Sequence, residues 1–225
     1  MPKVDMTVEV CGMSGDGTIA AGGLLNEALS NAGFSILAFD SYPAEIRGFG
    51  RCVTRSRAGD EEMLALSDRT HVLISLDDEQ SQSRIPFLAE NSAVFFDNNP
   101  PSYIPEEKSI ASHVEPGTNL FGIPFGDLAT GAAGSQRGRN LTALGGFAAV
   151  FGLPPELFRE VIEKKFMPKG EKVAEANLKS FEAGYAYALK TFSGRMKKIS
   201  VRPKKAREPE KVLLSGNVAL SLIHI

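Results

Sequence analysis

The sequence predicts an α/β fold: a layered sandwich with a mostly parallel central sheet and a helical C-terminal part. Three observations lead there. Short apolar runs recur as far as Phe125, separated by glycine- and proline-bearing loops. The first run enters a glycine loop and then a small-residue helix, "EVCGMSGDGTIAAGGLLNEAL". From Asn140 onward the pattern turns helical, so strands alternating with helices give way to a helical end.

Residues 8–11 read as a buried strand and 18–32 as a helix closed by Gly33. "FSILAF" (34–39) is a second strand, and "DSYPAEIRGFG" (40–50) a loop. "RCVTRSR" (51–57) alternates as a strand with one polar face, bearing Arg51, Arg55 and Arg57. "HVLISL" (71–76) and "SAVFFD" (92–97) are further buried strands, with a helix near 79–90 between them. Residues 98–117 are irregular, carrying Pro100, Pro101, Pro105 and Pro116, with a short strand at 109–114. "NLFGIPF" (119–125) is the last strand.

"NLTALGGFAAVFG" then forms a helix, as does "PPELFREVIEKKF", whose prolines suit a first turn. A long helix runs from 171 to about 192, with Val173, Leu178, Phe181, Tyr185, Ala188 and Phe192 on one apolar stripe for docking on the sheet. "SGRMKKISVRPKKAREPEK" is basic and proline-bearing but has no interleaved aromatics, so it reads as a solvated linker, not a nucleic-acid patch. "VLLSGNVALSLIHI" opens like a new strand. The expected organisation is one domain over 1–192, a linker over 193–211 and the truncated start of another domain over 212–225.

A 225-residue chain with 43% hydrophobic content can bury a proper core. Its net charge of -2 supplies no general attraction to nucleic acid or anionic membrane. No run approaches the ~20 apolar residues of a membrane span, and the N-terminus lacks a signal-peptide pattern. Cys11 and Cys52, the only cysteines, argue against a disulfide scaffold and exclude a four-thiolate iron–sulfur cluster held by this chain alone. The expectation is a cytoplasmic protein with neither nucleic acid nor membrane as partner.

The glycine loop presents backbone N–H groups and the positive end of a helix dipole, which suits phosphate or carboxylate. Gly12 and Gly17 have triphosphate-loop spacing, but Thr18 stands where lysine is needed. Gly12-x-Ser14 begins like a nucleophile elbow, but Asp16 takes its last glycine, and His71, His113 and His224 show no cue for a partner base. "GDGT" at 15–18 and "DNN" at 97–99 lie too far apart for one thiamine-diphosphate metal clamp. Gly15-x-Gly17-x-x-Ala20 does satisfy a dinucleotide pattern, with Asp40 placed for a ribose hydroxyl. Against that reading, the chain after Asp40 enters a loop and a strand where a helix is required. Three readings stand: glycines for close packing, a nicotinamide dinucleotide, or another anion.

The loop after the second strand carries Tyr42, Glu45, Arg47 and Gly48. In a mostly parallel sheet it shares an edge with the glycine loop. Arg47 offers a planar fork for phosphate or carboxylate, with backbone room beside it at Gly48; the alternatives are a pair with Glu45 or a subunit contact. No catalytic or metal-ligating set emerges.

"GMSGDGTIAAGGLLNEAL", "FDSYPAEIRGFG", "RNLTALGG" and "KGEKVAEANLKSFEAGY" occur in the order of the gamma-type domain of 2-oxoacid:ferredoxin (acceptor) oxidoreductases, the pyruvate/ketoisovalerate oxidoreductase family. The chain resembles the version fused to the front of the alpha subunit, where a basic linker leads to a pyrimidine-binding domain. Two departures are Ser14 and Phe49, where the family has glycine. The resemblance implies a component, without turnover of its own, of a complex that oxidatively decarboxylates a 2-oxoacid to an acyl-coenzyme A and passes electrons to ferredoxin or another acceptor. Thiamine diphosphate, Mg and iron–sulfur clusters would lie in the missing alpha domain, the beta subunit and other parts of the complex. Gly12, Gly15, Gly17, Thr18, Tyr42, Arg47, Gly48 and Asn140 would hold a coenzyme A phosphate or anchor the domain on its neighbours, with Asn140 capping the helix that follows. A purely structural subunit is the remaining alternative.

Overall fold

The first strand, β1 (Asp5–Met13), is buried along almost its whole length because neighbours cover both its faces and both its edges. It belongs to a computed structural model that describes residues 4–43, 50–100, 106–195, 197 and 212–223. Helix α1 (Thr18–Asn31) follows, closed at Gly33, whose φ of 96° lies in the left-handed region. The next strands are β2 (Ser35–Ser41), β3 (Arg51–Gly59), β4 (Thr70–Ser75), β5 (Leu88–Asp97) and β6 (Asn119–Ile123). They form one six-stranded sheet in the order β2-β3-β1-β4-β5-β6.

Strand β3 runs antiparallel to both β1 and β2, while β1, β4, β5 and β6 pair in parallel. All strands except β3 therefore point the same way, and their C-terminal ends share one rim. The short connection from β2 permits a reversal but no crossover, so β3 is the strand that turns back.

Four local expectations are corrected. The helix near 79–90 shortens to α2 (Asp78–Ser81) and a 3-10 turn over Gln82–Phe87, since Pro86 removes a donor and crowds the preceding turn. Residues 109–114 hold no strand. The Ile110 N–H donates to Asp78 Oδ2 at 2.9 Å, and a 3-10 turn (Ile110–Ser112) plugs buried Ile110 under the sheet. Helix α3 (Phe125–Ala133), unforeseen, begins after Pro124 and closes at Gly134. The segment read as a strand at 212–225 contains instead α7 (Gly216–Ile223), whose described side chains are all exposed.

Helices α4 (Arg139–Val150), α5 (Pro155–Phe166) and α6 (Glu171–Thr191) lie close to the expected bounds. Every residue of α4 after Arg139 is buried. The stripe on α6 meets α4 more than the sheet: Phe181 and Ala188 are fully covered, while Val173 stays exposed. Phe95 and Phe121 stack at 4.9 Å between ring centres, with Phe147 and Phe151 against Phe95 and Phe192 against Phe121. The opposite sheet face carries a smaller cluster of Cys11, Val53, Leu73, Val94 and Ile110. Among the described residues, no helix is long and apolar enough to cross a membrane.

Two glycines let α4 and α6 touch backbone to backbone: a Cβ on Gly145 would run into the Phe181 carbonyl, and one on Gly184 into the Thr142 carbonyl. Gly184→Ala should cost about 3 kcal/mol by forcing the helices apart. Gly23→Ala, on an open face of α1 where only Lys165 Nζ comes near, at 3.6 Å, should gain up to about 1 kcal/mol. Urea unfolding midpoints of the two variants measure the contrast.

Candidate functional site

The loop leaving β1 is shaped by Asp16 and two left-handed glycines. Asp16 Oδ2 accepts from the Met13 N–H at 2.8 Å, and the Asp16 N–H donates to the Met13 carbonyl at 3.1 Å, closing a tight turn. Gly15 and Gly17 have φ of 107° and 77°. Their surroundings differ. No atom lies within 4 Å of where a Gly15 Cβ would sit, whereas a Cβ on Gly17 would strike the Asn140 amide. At Gly12 a Cβ would come within 2.7 Å of Thr18 Oγ1. Gly15 thus faces the outside, while Gly12 and Gly17 serve close packing.

Thr18 is only 2% exposed, and its hydroxyl finds no partner among the described residues. Asn140 does not cap a helix. It is the second residue of α4, the cap position being Gly138 without a side-chain bond. Asn140 Nδ2 donates instead to the Gly17 carbonyl at 3.2 Å, tying α4 to the loop.

The Ser14 N–H donates to the Gly50 carbonyl at 3.0 Å, so the glycine loop and the end of the 42–50 connection meet on the same rim. Tyr42 stands there 62% exposed. Glu45, Arg47, Gly48 and Phe49 lie outside the described residues. The dinucleotide alternative is not built: β3 stands between β1 and β2, and Asp40 Oδ1 already accepts from Thr54 Oγ1 at 2.8 Å.

A second group adjoins the loop and corrects one argument from the sequence. The motifs at 15–18 and 97–99, set aside as too far apart to share a site, each bring an aspartate to the same arginine. Arg139, at the start of α4, donates from Nη2 to the Leu76 carbonyl at 2.5 Å. Its guanidinium lies 3.8 Å from an Asp16 oxygen and 4.0 Å from an Asp97 oxygen. Asp97 Oδ2 accepts from the Gly126 N–H at 3.3 Å and Oδ1 from the Asn99 N–H at 3.2 Å. Beside them opens a cleft of about 390 Å³ lined by Asp97, Asn99, Gly126, Asp127, Gln136 and Arg139. Asp97 ends a run read correctly as a buried strand, which was the available signal. Burial pushes the carboxyls of Asp16 and Asp97 above the ordinary carboxylate range, against the lowering pull of Arg139 and of backbone donors. One guanidinium shared by two carboxylates carries a net negative charge when both are ionised, which disfavours a further anion on that side of the loop. Among the described residues, no three His, Cys, Asp or Glu side chains gather to hold a metal ion.

Comparison with known proteins gives consistent results. The pattern of the family described as pyruvate ferredoxin/flavodoxin oxidoreductase matches residues 7–187. The 2-oxoglutarate synthase subunit KorC of Archaeoglobus fulgidus is 26% identical over 185 residues, covering 82% of this chain and 88% of KorC. The ketoisovalerate oxidoreductase subunit VorA of Methanothermobacter thermautotrophicus is 25% identical over 198 residues, covering 85% of this chain but 38% of VorA. A solved 2-oxoglutarate:ferredoxin oxidoreductase from Magnetococcus marinus, with 2-oxoglutarate, coenzyme A and succinyl-CoA bound, matches at 28% identity and TM-score 0.72. That match covers 84% of this chain and 31% of the larger one. The pyruvate oxidoreductase subunit PORC of Thermotoga maritima shares the fold at TM-score 0.65 and 23% identity, covering 81% of this chain and 96% of PORC.

The raised carboxyls set a pH dependence. Above the unfolded carboxylate range the native state binds more protons than the unfolded state, so these two groups make stability fall as pH rises from about 4. Arg139→Gln removes the cation that moderates this, and the fall in the urea midpoint between about pH 4 and about pH 7 should steepen. Equal slopes in variant and parent would show that Arg139 does not couple to the two aspartates.

Proposed function

The chain belongs to the pyruvate ferredoxin/flavodoxin oxidoreductase family, and from that premise we propose that it is the gamma-type part of a 2-oxoacid:ferredoxin oxidoreductase, working only within a complex. In this reading a 2-oxoacid is oxidatively decarboxylated to an acyl-coenzyme A, with electrons leaving to ferredoxin or another acceptor in the cytoplasm. Thiamine diphosphate supplies the electron-sink chemistry of decarboxylation when bound, and it, Mg and the iron–sulfur clusters belong to the alpha domain, the beta subunit and other parts of the complex.

The observation that carries a role for this chain is the convergence of the glycine loop and the 42–50 connection on one rim, joined by the Ser14–Gly50 hydrogen bond. An open left-handed glycine beside a helix N-terminus fits a phosphate group of coenzyme A. In this reading Gly15 offers the close backbone approach, Tyr42 the flank, and Arg47 with Gly48 would supply the guanidinium fork the sequence suggests. Gly12, Gly17, Thr18 and Asn140 hold that edge in shape from behind.

The assignment of 1–192 to the gamma-type domain, 193–211 to a linker and 212–225 to the start of a further domain is part of the same proposal. It draws support from the exposed apolar side chains of Val212, Leu213, Leu214, Val218, Leu220 and Leu222, which join no core among the described residues. The greater length of VorA agrees with it.

In the reconstituted complex, Arg47→Ala should raise the KM for coenzyme A about 10- to 100-fold, as expected for loss of a charge-assisted bond, while the KM for the 2-oxoacid holds. An unchanged coenzyme A KM in a correctly assembled complex would leave the rim as an anchoring surface only. The isolated chain should show no 2-oxoacid turnover.

A further inference from the structure

The two edges of the sheet are treated differently. At β6, which has only five residues, Arg195 donates to the Leu120 carbonyl at 2.9 Å. Its guanidinium also covers the Phe121 and Phe192 rings at 4.8 and 5.9 Å, so a charged side chain sits on that short edge. At the other edge, the seven residues of β2 pair with β3 in unbroken register, without bulge, proline or basic residue. Among the described residues, no strand pairs with its outer side. The strand's single charge, Asp40, is engaged by Thr54, and Phe39 is left 58% exposed. Long apolar edge strands are normally shortened, charged or covered, because their unpaired N–H and C=O groups recruit another strand.

We propose that β2 is a self-pairing edge, joining β2 of a second copy of this chain antiparallel about a two-fold axis at Ala38. The sequence "SILAFDS" is nearly symmetric about that residue. This register uses all seven residues, setting Ser35 against Ser41, Ile36 against Asp40 and Leu37 against Phe39 of the second copy. Leu37 and Phe39 point to one face, so the axis produces two identical aliphatic–aromatic pairs. No like charges oppose one another. A contact this small makes a weak, concentration-dependent dimer, not an obligate one.

Sedimentation equilibrium of the full chain, up to about 200 μM, should show reversible monomer–dimer exchange. Phe39→Lys and Ser41→Lys, both at exposed positions, should each shift it to monomer with an unchanged circular dichroism spectrum, while Phe39→Leu keeps the dimer. Amide exchange at β2 should slow with rising concentration. Leu220→Lys on α7 should change nothing; a dimer that this variant dissolves, or that survives both β2 lysines, overturns the proposal. So does a chain that stays monomeric at every concentration, including one that engages a partner subunit through the same edge.

Discussion

The position of α4 between the sheet and α6 is the constraint from which the rim follows. A helix buried on all sides must meet its neighbours closely, and small residues make that possible. Gly145 and Gly184 bring two backbones together, and Gly138 leaves room for Ser180, whose hydroxyl a Cβ there would strike. Thr142 Oγ1 completes the contact by donating to the Ser180 carbonyl at 3.1 Å. With its body held in this way, α4 can only deliver its first residues, Arg139 and Asn140, to one place: the back of the glycine loop. The loop's shape is therefore set by a packing decision made several turns away.

Electrostatics then divides the rim. Behind the loop, Arg139 is shared by Asp16, Asp97 and the Leu76 carbonyl, and the group carries an excess of acceptors. On the outer side, Gly15 faces open space at the start of α1. In the proposed coenzyme A reading, a phosphate would meet the helix dipole and the open backbone of Gly15 in front, with the carboxylates held behind by the guanidinium. The other sheet face is pinned independently: Glu9, fully buried, pairs with Arg55 at 2.6 Å and Arg84 at 2.7 Å, holding the 3-10 turn after α2 over the sheet. Loss of both arginines would leave a buried carboxylate unpaired, at a cost on the order of 3–5 kcal/mol, whereas either one alone still leaves Glu9 a partner.

Strands and long helices were legible because burial leaves a periodic trace. The run at Val8–Cys11 and the helical pattern after Asn140 both correspond to elements of the fold. Where side chains rather than periodicity decide, the reading failed. Asp78 reaches across to the Ile110 N–H and makes a turn of what alternation offered as a strand. Pro86 ends a helix that composition alone allowed. Glycine spacing marked the loop but could not separate the exposed Gly15 from the packed Gly12 and Gly17. That difference is made by Asn140 arriving from α4 and by the turn that brings Thr18 back against Gly12. Sequence separation argued against the meeting of Asp16 and Asp97 at Arg139. Parallel strands return distant segments to the same rim, however, and separation along the chain is no measure of distance there.

Strand β2 links the rim to the open edge of the sheet without setting them in conflict. An axis at Ala38 lies four residues from Tyr42, about 13 Å along the strand. A strand added there covers the body of β2 and ends its pairing at Ser41, one residue short of Tyr42. Antiparallel pairing also turns the two rims in opposite directions, so each copy presents its glycine loop at its own end of the joined sheet. A partner or anion bound at one rim need not contend with the other. In the proposed dimer, the same regularity that leaves β2 unprotected would let the chain associate without covering the rim.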